Sequence, residues 1–279
     1  MKNVMIALFV KDRYHHVKLC TKFLQESPEV EGFTFRTLVF DDQSSDPKME
    51  DLFEQWYDPD VIHICHDDLL PDQRIGHARR MAVDAFLYCA DCKDSDYLLL
   101  LDSDIILTKS TIAEAIQDYD MLSESLNVGG YTLHALRHIR DSFHIEGKLY
   151  GSATLTGDAH MLFRRDHLEK IGNHFSAKSQ GFADNQIKAI YDAGLQYYTR
   201  LDPSYQVQHI GFGEDASTMD RDKPFWTMRP YWTQDGSKRV IKVDGFDVIQ
   251  YVEFANQSGG GLKAPEQYLT INLKNERPN

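Results

Sequence analysis

The chain has 279 residues, 42% of them hydrophobic and 26% charged, and a formal net charge of −13 at pH 7. That balance is ordinary for a folded protein and excludes a disordered one, while the negative charge disfavours non-specific attraction to nucleic acid or an anionic membrane. No stretch approaches the roughly 20 apolar residues that span a bilayer, and the four cysteines (Cys20, Cys65, Cys89, Cys92) are too scattered for a disulfide framework.

The first run, "VMIALFV" (4–10), reads as a buried strand rather than a leader, because no small-residue cleavage site follows it. A cytoplasmic protein is expected. Residues 15–27 read as a helix closed by Pro28. "FTFRTLVFDD" (33–42) is a strand that closes on two acids, Asp41 and Asp42. Asp46-Pro47 suits an N-cap followed by the first turn of a short helix, and "VIHIC" (61–65) is a third strand. From Ile75, the apolar positions Ala78, Met81, Ala82, Ala85 and Phe86 recur at helical spacing. Residues 97–101 are uniformly apolar, as in a central parallel strand covered on both faces. This alternation predicts a parallel α/β sheet.

The middle of the chain is less regular. Residues 157–172 predict a strand leading into a helix, and 183–194 predict a helix stopped by Gly194. "LQYYTRL" and "YQVQHIG" are short strand candidates. Further on, Asp244-Gly245 sits between two β-rich runs, a hairpin signal, and "SGGG" (258–261) is a flexible joint. Cys89 and Cys92 form a lone C-x-x-C, which lacks the second pair a structural zinc site wants, so they read as bystander thiols.

One apolar run is interrupted in an unusual way. "LLLLDSDIIL" (98–107) places Asp102-Ser103-Asp104 at the mouth of a buried strand. In open α/β sheets, ligands bind beyond the carboxyl ends of the strands, and Asp41-Asp42 would converge on the same edge. Turn chemistry explains either acidic pair alone but not both at one edge. Clustered carboxylates repel unless a cation or a hydrogen-bonding ligand compensates. A hard divalent ion, Mn2+ or Mg2+, suits such oxygen ligands and bridges to phosphates.

"VFDDQSSD" (39–46), "GHARRMAVDAF" (76–86) and "LLLLDSDIIL" resemble the nucleotide-binding half of family 2 glycosyltransferases with the GT-A fold. "TGDAHMLFRRDHLEKIG" (156–172), "GFADNQIKAIYDAG" (181–194) and "VQHIG" (207–211) resemble that family's acceptor half, in order. The resemblance implies a GT-A, Rossmann-like α/β fold, with a mixed, mostly parallel sheet flanked by helices, over residues 1–213. Its nucleotide-binding half is 1–107 and its acceptor half 108–213. Residues 214–279 are a C-terminal extension, able to act as a lid or to shape the acceptor site. Their 10 acidic and 9 basic side chains nearly cancel, so the acidic excess belongs to the first part.

The resemblance also implies roles. Asp41 would hydrogen-bond the donor's base, with Asp42 beside it. Arg79 or Arg80 would lie near the nucleotide or its phosphates. Asp102 would touch the ribose or the metal's water shell, next to Ser103, and Asp104 would ligate the metal, with His209 completing the metal site. Asp184 would be the general base. The donor would be a UDP- or GDP-sugar, and the acceptor a hydroxyl of a glycan, small molecule, protein or hydroxylated base, the last disfavoured by charge. The family implies inversion at the anomeric carbon. The chain departs from the family at Gln43, where Gly is common after the Asp-Asp pair, and at Ala183-Asp184, where Glu-Asp is common.

Plainer roles stand beside these. Asp184 could cap its helix, His209 could be a strand histidine, and Arg79 and Arg80 could lie on a solvated helix face. His134 and His138 share a helical spacing without the intervening Glu of a zincin motif and read as structural. Trp226 and Trp232 read as packing residues before a sugar platform. A dehalogenase-type phosphatase is disfavoured because its Asp-x-Asp follows the first strand, and a nucleotidyltransferase because a Gly-rich basic loop is missing. A non-catalytic nucleotide-sugar or carbohydrate-binding protein on the same fold is the rival that remains.

Overall fold

The computed structural model describes residues 1–12, 14–56, 60–64, 73–103, 105–133, 139–153, 160–177 and 183–201, and the backbone of five later strands. Asp104, Cys65, His134, His138, Trp232, the Asp244-Gly245 turn and the "SGGG" joint lie outside the described residues.

Four parallel strands form the first half of the main sheet. They are β1 (Lys2–Val10), β2 (Phe33–Asp41), β3 (Val61–His63) and β4 (Tyr97–Asp102), in the order β3-β2-β1-β4. Between them run α1 (Tyr14–Glu26), α2 (Pro47–Trp56) and α3 (Arg74–Tyr88). A two-residue strand, β5 (Ile105–Ile106), leads from β4 into α4 (Lys109–Ser125), whose Thr108 cap accepts from the Thr111 amide at 3.2 Å. Then come β6 (Val128–Thr132), β7 (Ile139–Ile145), β8 (Lys148–Ala153), β9 (His160–Arg164), α5 (Arg165–Ile171), α6 (Asp184–Asp192) and β10 (Gln196–Arg200). The sheet continues β4-β9-β6-β10-β8-β7, with β9 antiparallel to both neighbours and β10 parallel to β6.

Alternation along the strands divides the core in two. On one face Ile6, Leu8, Leu99 and Leu101 meet α1, α2 and α4; on the other Met5, Ala7, Leu98 and Leu100 meet α3, α5 and α6. Each of the four leucines of β4 is fully buried, which contributes about 1.5–3 kcal/mol apiece. A uniformly apolar strand is what a sheet covered on both faces requires. Buried Asp118 on α4 accepts from Tyr150 at 2.8 Å and Lys148 at 2.9 Å, tying that helix to β8.

The predicted helix stop at Gly194 is present, with φ +73 beside the helix's last residues, a conformation that favours glycine. The tight turn there makes α6 antiparallel to β10. The first turn of α6 therefore lies at the edge where the parallel strands end.

The later strands are β11 (Gln208–Gly211), β12 (Phe225–Pro230), β13 (Arg239–Val243), β14 (Phe246–Gln250) and β15 (Leu269–Asn272). They form an antiparallel sheet with β5, in the order β13-β14-β15-β12-β11-β5. β13 and β14 pair as the predicted hairpin, Val243 opposite Phe246. Among the described residues no helix is long and apolar enough to cross a membrane.

At the far end of the main sheet, Arg164 donates to His167 Nε2 at 2.7 Å, which leaves Nδ1 to donate to the Tyr119 hydroxyl at 2.8 Å. Burial, and then the Arg164 guanidinium, hold the His167 pKa below its ordinary value.

Candidate active site

The parallel half of the sheet reverses its winding between β1 and β4: β2 and β3 build outward on one side, β4 on the other. Such a switch point opens a crevice beyond the carboxyl ends of the strands. Phe9 pairs with Asp102 across it.

Arg79 is held there by its place on α3. Ala78, Ala82, Val83 and Phe86 form the buried stripe of the helix, and position 79 falls on that stripe at i, i+3 and i+4 spacing. Its guanidinium pairs with Asp102, donates to the Ile75 carbonyl at 3.2 Å and stacks 4.5 Å over the Phe9 ring. The side chain of Arg79 is 5% exposed and that of Asp102 30% exposed. Arg80 lies about 100° further around the axis. It is exposed, and its carbonyl accepts from Asn173 at 2.9 Å. The sequence left these two arginines equivalent, and the fold brings only Arg79 to the strand end.

The second acidic pair stands at the end of β2, with its loop tied down. Asp41 accepts from the Ser44 hydroxyl at 2.5 Å and from His63 Nδ1 at 3.1 Å. Lys11 donates to Asp42 at 3.3 Å. Asp12, at the end of β1, accepts from the Ser45 amide at 2.7 Å, the Ser45 hydroxyl at 3.1 Å and the Asp46 amide at 3.2 Å. Gln43 adopts φ +54, the left-handed region that costs a side chain about 1–2 kcal/mol. That is the conformation glycine supplies freely at this place in the resemblance.

These contacts correct one premise of the sequence argument. Asp41, Asp42 and Asp102 each already have a protein partner, so their charge does not by itself demand a bound cation. Asp12 and His63 were missed by sequence reasoning. Asp12 carried a positional signal, a polar residue just past an apolar strand, whereas His63 lies inside the run read as a strand over 61–65, which the structure ends at His63.

Ser103 is buried directly after Asp102. His209 lies on β11, in register with Ile105 of β5, so its backbone runs beside the residue that follows Asp104. Two motifs from distant parts of the chain thus meet at one place. Among the described residues no group of three or more His, Cys, Asp or Glu side chains is arranged to hold a metal ion.

Asp184 is the first residue of α6 and is exposed. The N-cap position belongs to Ala183, which makes no side-chain cap hydrogen bond, so Asp184 does not occupy the cap of this helix. Cys89 and Cys92 are free thiols, Cys89 exposed and Cys92 buried, and burial pushes the Cys92 thiol up.

A winding reversal between β1 and β4, with carboxylates at the strand ends and a buried arginine beside one of them, defines this chain as an α/β protein of the open-sheet class, whose ligands bind beyond the carboxyl ends of the strands. No protein-family model and no curated protein sequence matches it. Solved structures do. A crystal structure of GalNAc-T7 with UDP, GalNAc and Mn2+ superposes with a TM-score of 0.52 at 8% identity, covering 72% of this chain and 42% of that one. Residues 1–349 of TarS from S. aureus give a TM-score of 0.45 at 15% identity, covering 74% of this chain and 62% of that one. The mannosyltransferase PcManGT from Pyrobaculum calidifontis, in complex with GDP-Man and Mn2+, gives 0.46 at 14% identity, covering 70% and 53%. The chain spans about two fifths to three fifths of the length of these proteins. Its fold is that of the GT-A glycosyltransferases.

Proposed function

We propose that the chain is an inverting glycosyltransferase that moves a sugar from a UDP- or GDP-sugar to an acceptor hydroxyl. The observation that carries this reading is the register of β11 against β5, which pairs His209 with Ile105, two residues after the buried Ser103. On that arrangement Asp102, Asp104 and His209 would hold a divalent cation, Mn2+ or Mg2+. Such an ion would offset the charge that develops on a departing diphosphate. The GalNAc-T7 structure holds UDP, GalNAc and Mn2+ on this fold, the same class of ligands.

The protein's own side chains have separate tasks. Arg79 fixes the Asp102 carboxylate against the floor of the crevice. Asp41 and Asp42, with the loop that follows them, form the nucleoside end, and Ser103 lies between that end and the phosphates. Arg80, at the surface of α3, adds positive charge outside the crevice. Asp184 takes the proton of the attacking hydroxyl. A sugar hydroxyl is a poor nucleophile, so a carboxylate within hydrogen-bond reach assists it. The acceptor oxygen bonds to the anomeric carbon as the bond to the diphosphate breaks, and attack from the opposite side inverts that centre. The exposure of Asp184 and its place at the strand-end edge support the assignment. Residues 214–279 close over the donor or shape the acceptor site, consistent with β12–β15 continuing the sheet that contains β11.

The test is a panel of nucleotide sugars with and without Mn2+, scored by calorimetry for binding and by product analysis for transfer and slow hydrolysis. Donor binding should depend on Mn2+, and Asp104→Asn should abolish most of that dependence while the protein stays folded. Equal affinity with and without the ion, in both proteins, would sink the metal-dependent reading. Binding with neither transfer nor hydrolysis would leave a nucleotide-sugar-binding protein instead.

A further inference from the structure

The nucleoside end of this site carries an exposed polar side chain with no role assigned so far. His63 ends β3 in register with Asp41. Its side chain is 72% exposed, whereas that of Asp41 is 4% exposed. An ionised carboxylate only accepts hydrogen bonds. The 3.1 Å contact between Nδ1 and Asp41 Oδ2 therefore places the proton on Nδ1, and a neutral ring presents Nε2 as an acceptor. Asp41 itself is occupied within its loop: the Ser44 hydroxyl donates to Oδ1 at 2.5 Å, and the Ser44 amide reaches both oxygens at 3.2 and 3.3 Å. Asp41 is thus the buried orienting group, and His63 is the one set to meet a ligand.

We propose that His63 reads the nucleobase of the donor, its Nε2 accepting from the ring N–H of a keto base; this rests on the nucleotide-sugar reading above. Uracil N3 and guanine N1 carry a hydrogen. Cytosine N3 and adenine N1 carry a lone pair at the corresponding position, which would face the Nε2 lone pair. A hydrogen bond that one base makes and its analogue leaves unmade is the stronger kind of discrimination. Asp41 acts on the base through His63, as a positioning residue.

Calorimetric titration of UDP, CDP, GDP and ADP, each with Mn2+ at pH 8, tests this in wild type, His63→Asn and His63→Gln. The Asn amide stands near the place of Nδ1, so it keeps the bond to Asp41 and loses the Nε2 acceptor. The Gln amide reaches the place of Nε2 and restores an acceptor there. Wild type should prefer UDP over CDP, or GDP over ADP, by about tenfold, the size of one well-made hydrogen bond. His63→Asn should lose that preference and His63→Gln should keep it, both with unchanged melting temperatures. A preference that survives intact in His63→Asn overturns the role of His63 and leaves the function standing. Loss in both variants overturns the acceptor assignment. A wild type that treats keto and amino bases alike overturns the proposal, again without touching the function. A wild type that binds none of the four overturns both.

Discussion

Replacing Arg79 by Met removes the ion pair to Asp102, the bond to the Ile75 carbonyl and the stack over Phe9 together. Removing one member of a buried pair costs about 3–5 kcal/mol when the charge left behind stays buried. Here Asp102 is 30% exposed and rehydrates in part, which brings the figure to about 2 kcal/mol. Loss of the stack adds about 0.5–1 kcal/mol, and a methionine sulfur against the same ring returns some of it. The expected loss is about 2–3 kcal/mol, or about 4–10 °C in melting temperature for a domain of this size. Asp102→Asn and the double variant complete a thermodynamic cycle, read by thermal and denaturant unfolding. The coupling between the two sites should be at least about 1 kcal/mol, and Arg80→Met should change stability by no more than about 0.5 kcal/mol. Arg79 and Asp102 effects that add to within about 0.5 kcal/mol, or an Arg80 variant as damaged as the Arg79 one, would refute the assignment.

Asp184→Asn should leave the melting temperature almost unchanged, since the residue is exposed and does not hold the N-cap position, while transfer falls about 10²–10⁴-fold and donor affinity holds; transfer at the wild-type rate would clear Asp184 of catalysis. Truncation after Gly213 removes β12–β15 and should harm transfer more than nucleotide binding; a truncated protein with full transferase activity would make that segment an appendage. Stability should fall on acidification partly through His167. Its folded pKa is lowered by burial and then by Arg164, so the unfolded chain takes up the proton first, and stability drops from about pH 6.5 downward until the lower folded pKa is passed. Melting curves across that range should converge for wild type and His167→Gln as the pH falls, and parallel curves would rule the effect out.

Much of the first hundred residues was legible because local pattern and tertiary role coincide there. β1 and β4 are apolar in every position that a doubly covered strand must fill, and α3 shows its stripe at helical spacing. The edge that carries the acids followed from the same reading, since parallel strands all end on one side. The region from Lys109 to Ala153 was not legible. α4 is the longest helix described, yet its apolar positions are interleaved with Asp118, which accepts from Lys148 and Tyr150 of β8, and with Lys109, whose amino group pairs with Glu29 in the connection after α1. β6 reads "VGGYT", a poor strand by propensity. Its glycines are there because a Cβ at Gly129 would lie 2.6 Å from Ile190, and one at Gly130 2.4 Å from Tyr197.

The site divides in the same way. By itself the sequence determined that Asp41, Asp42 and Asp102 end strands and that Asp184 opens a helix, because strand ends, caps and stops are written in local chemistry. Tertiary structure alone decided that Arg79 rather than Arg80 meets Asp102, that His63 is seated on Asp41, and that His209 runs beside Ile105. Each of those pairings depends on register between strands or on the rotation of a helix against the sheet. Both are fixed by the packing of many side chains at once, and no local run of residues encodes them.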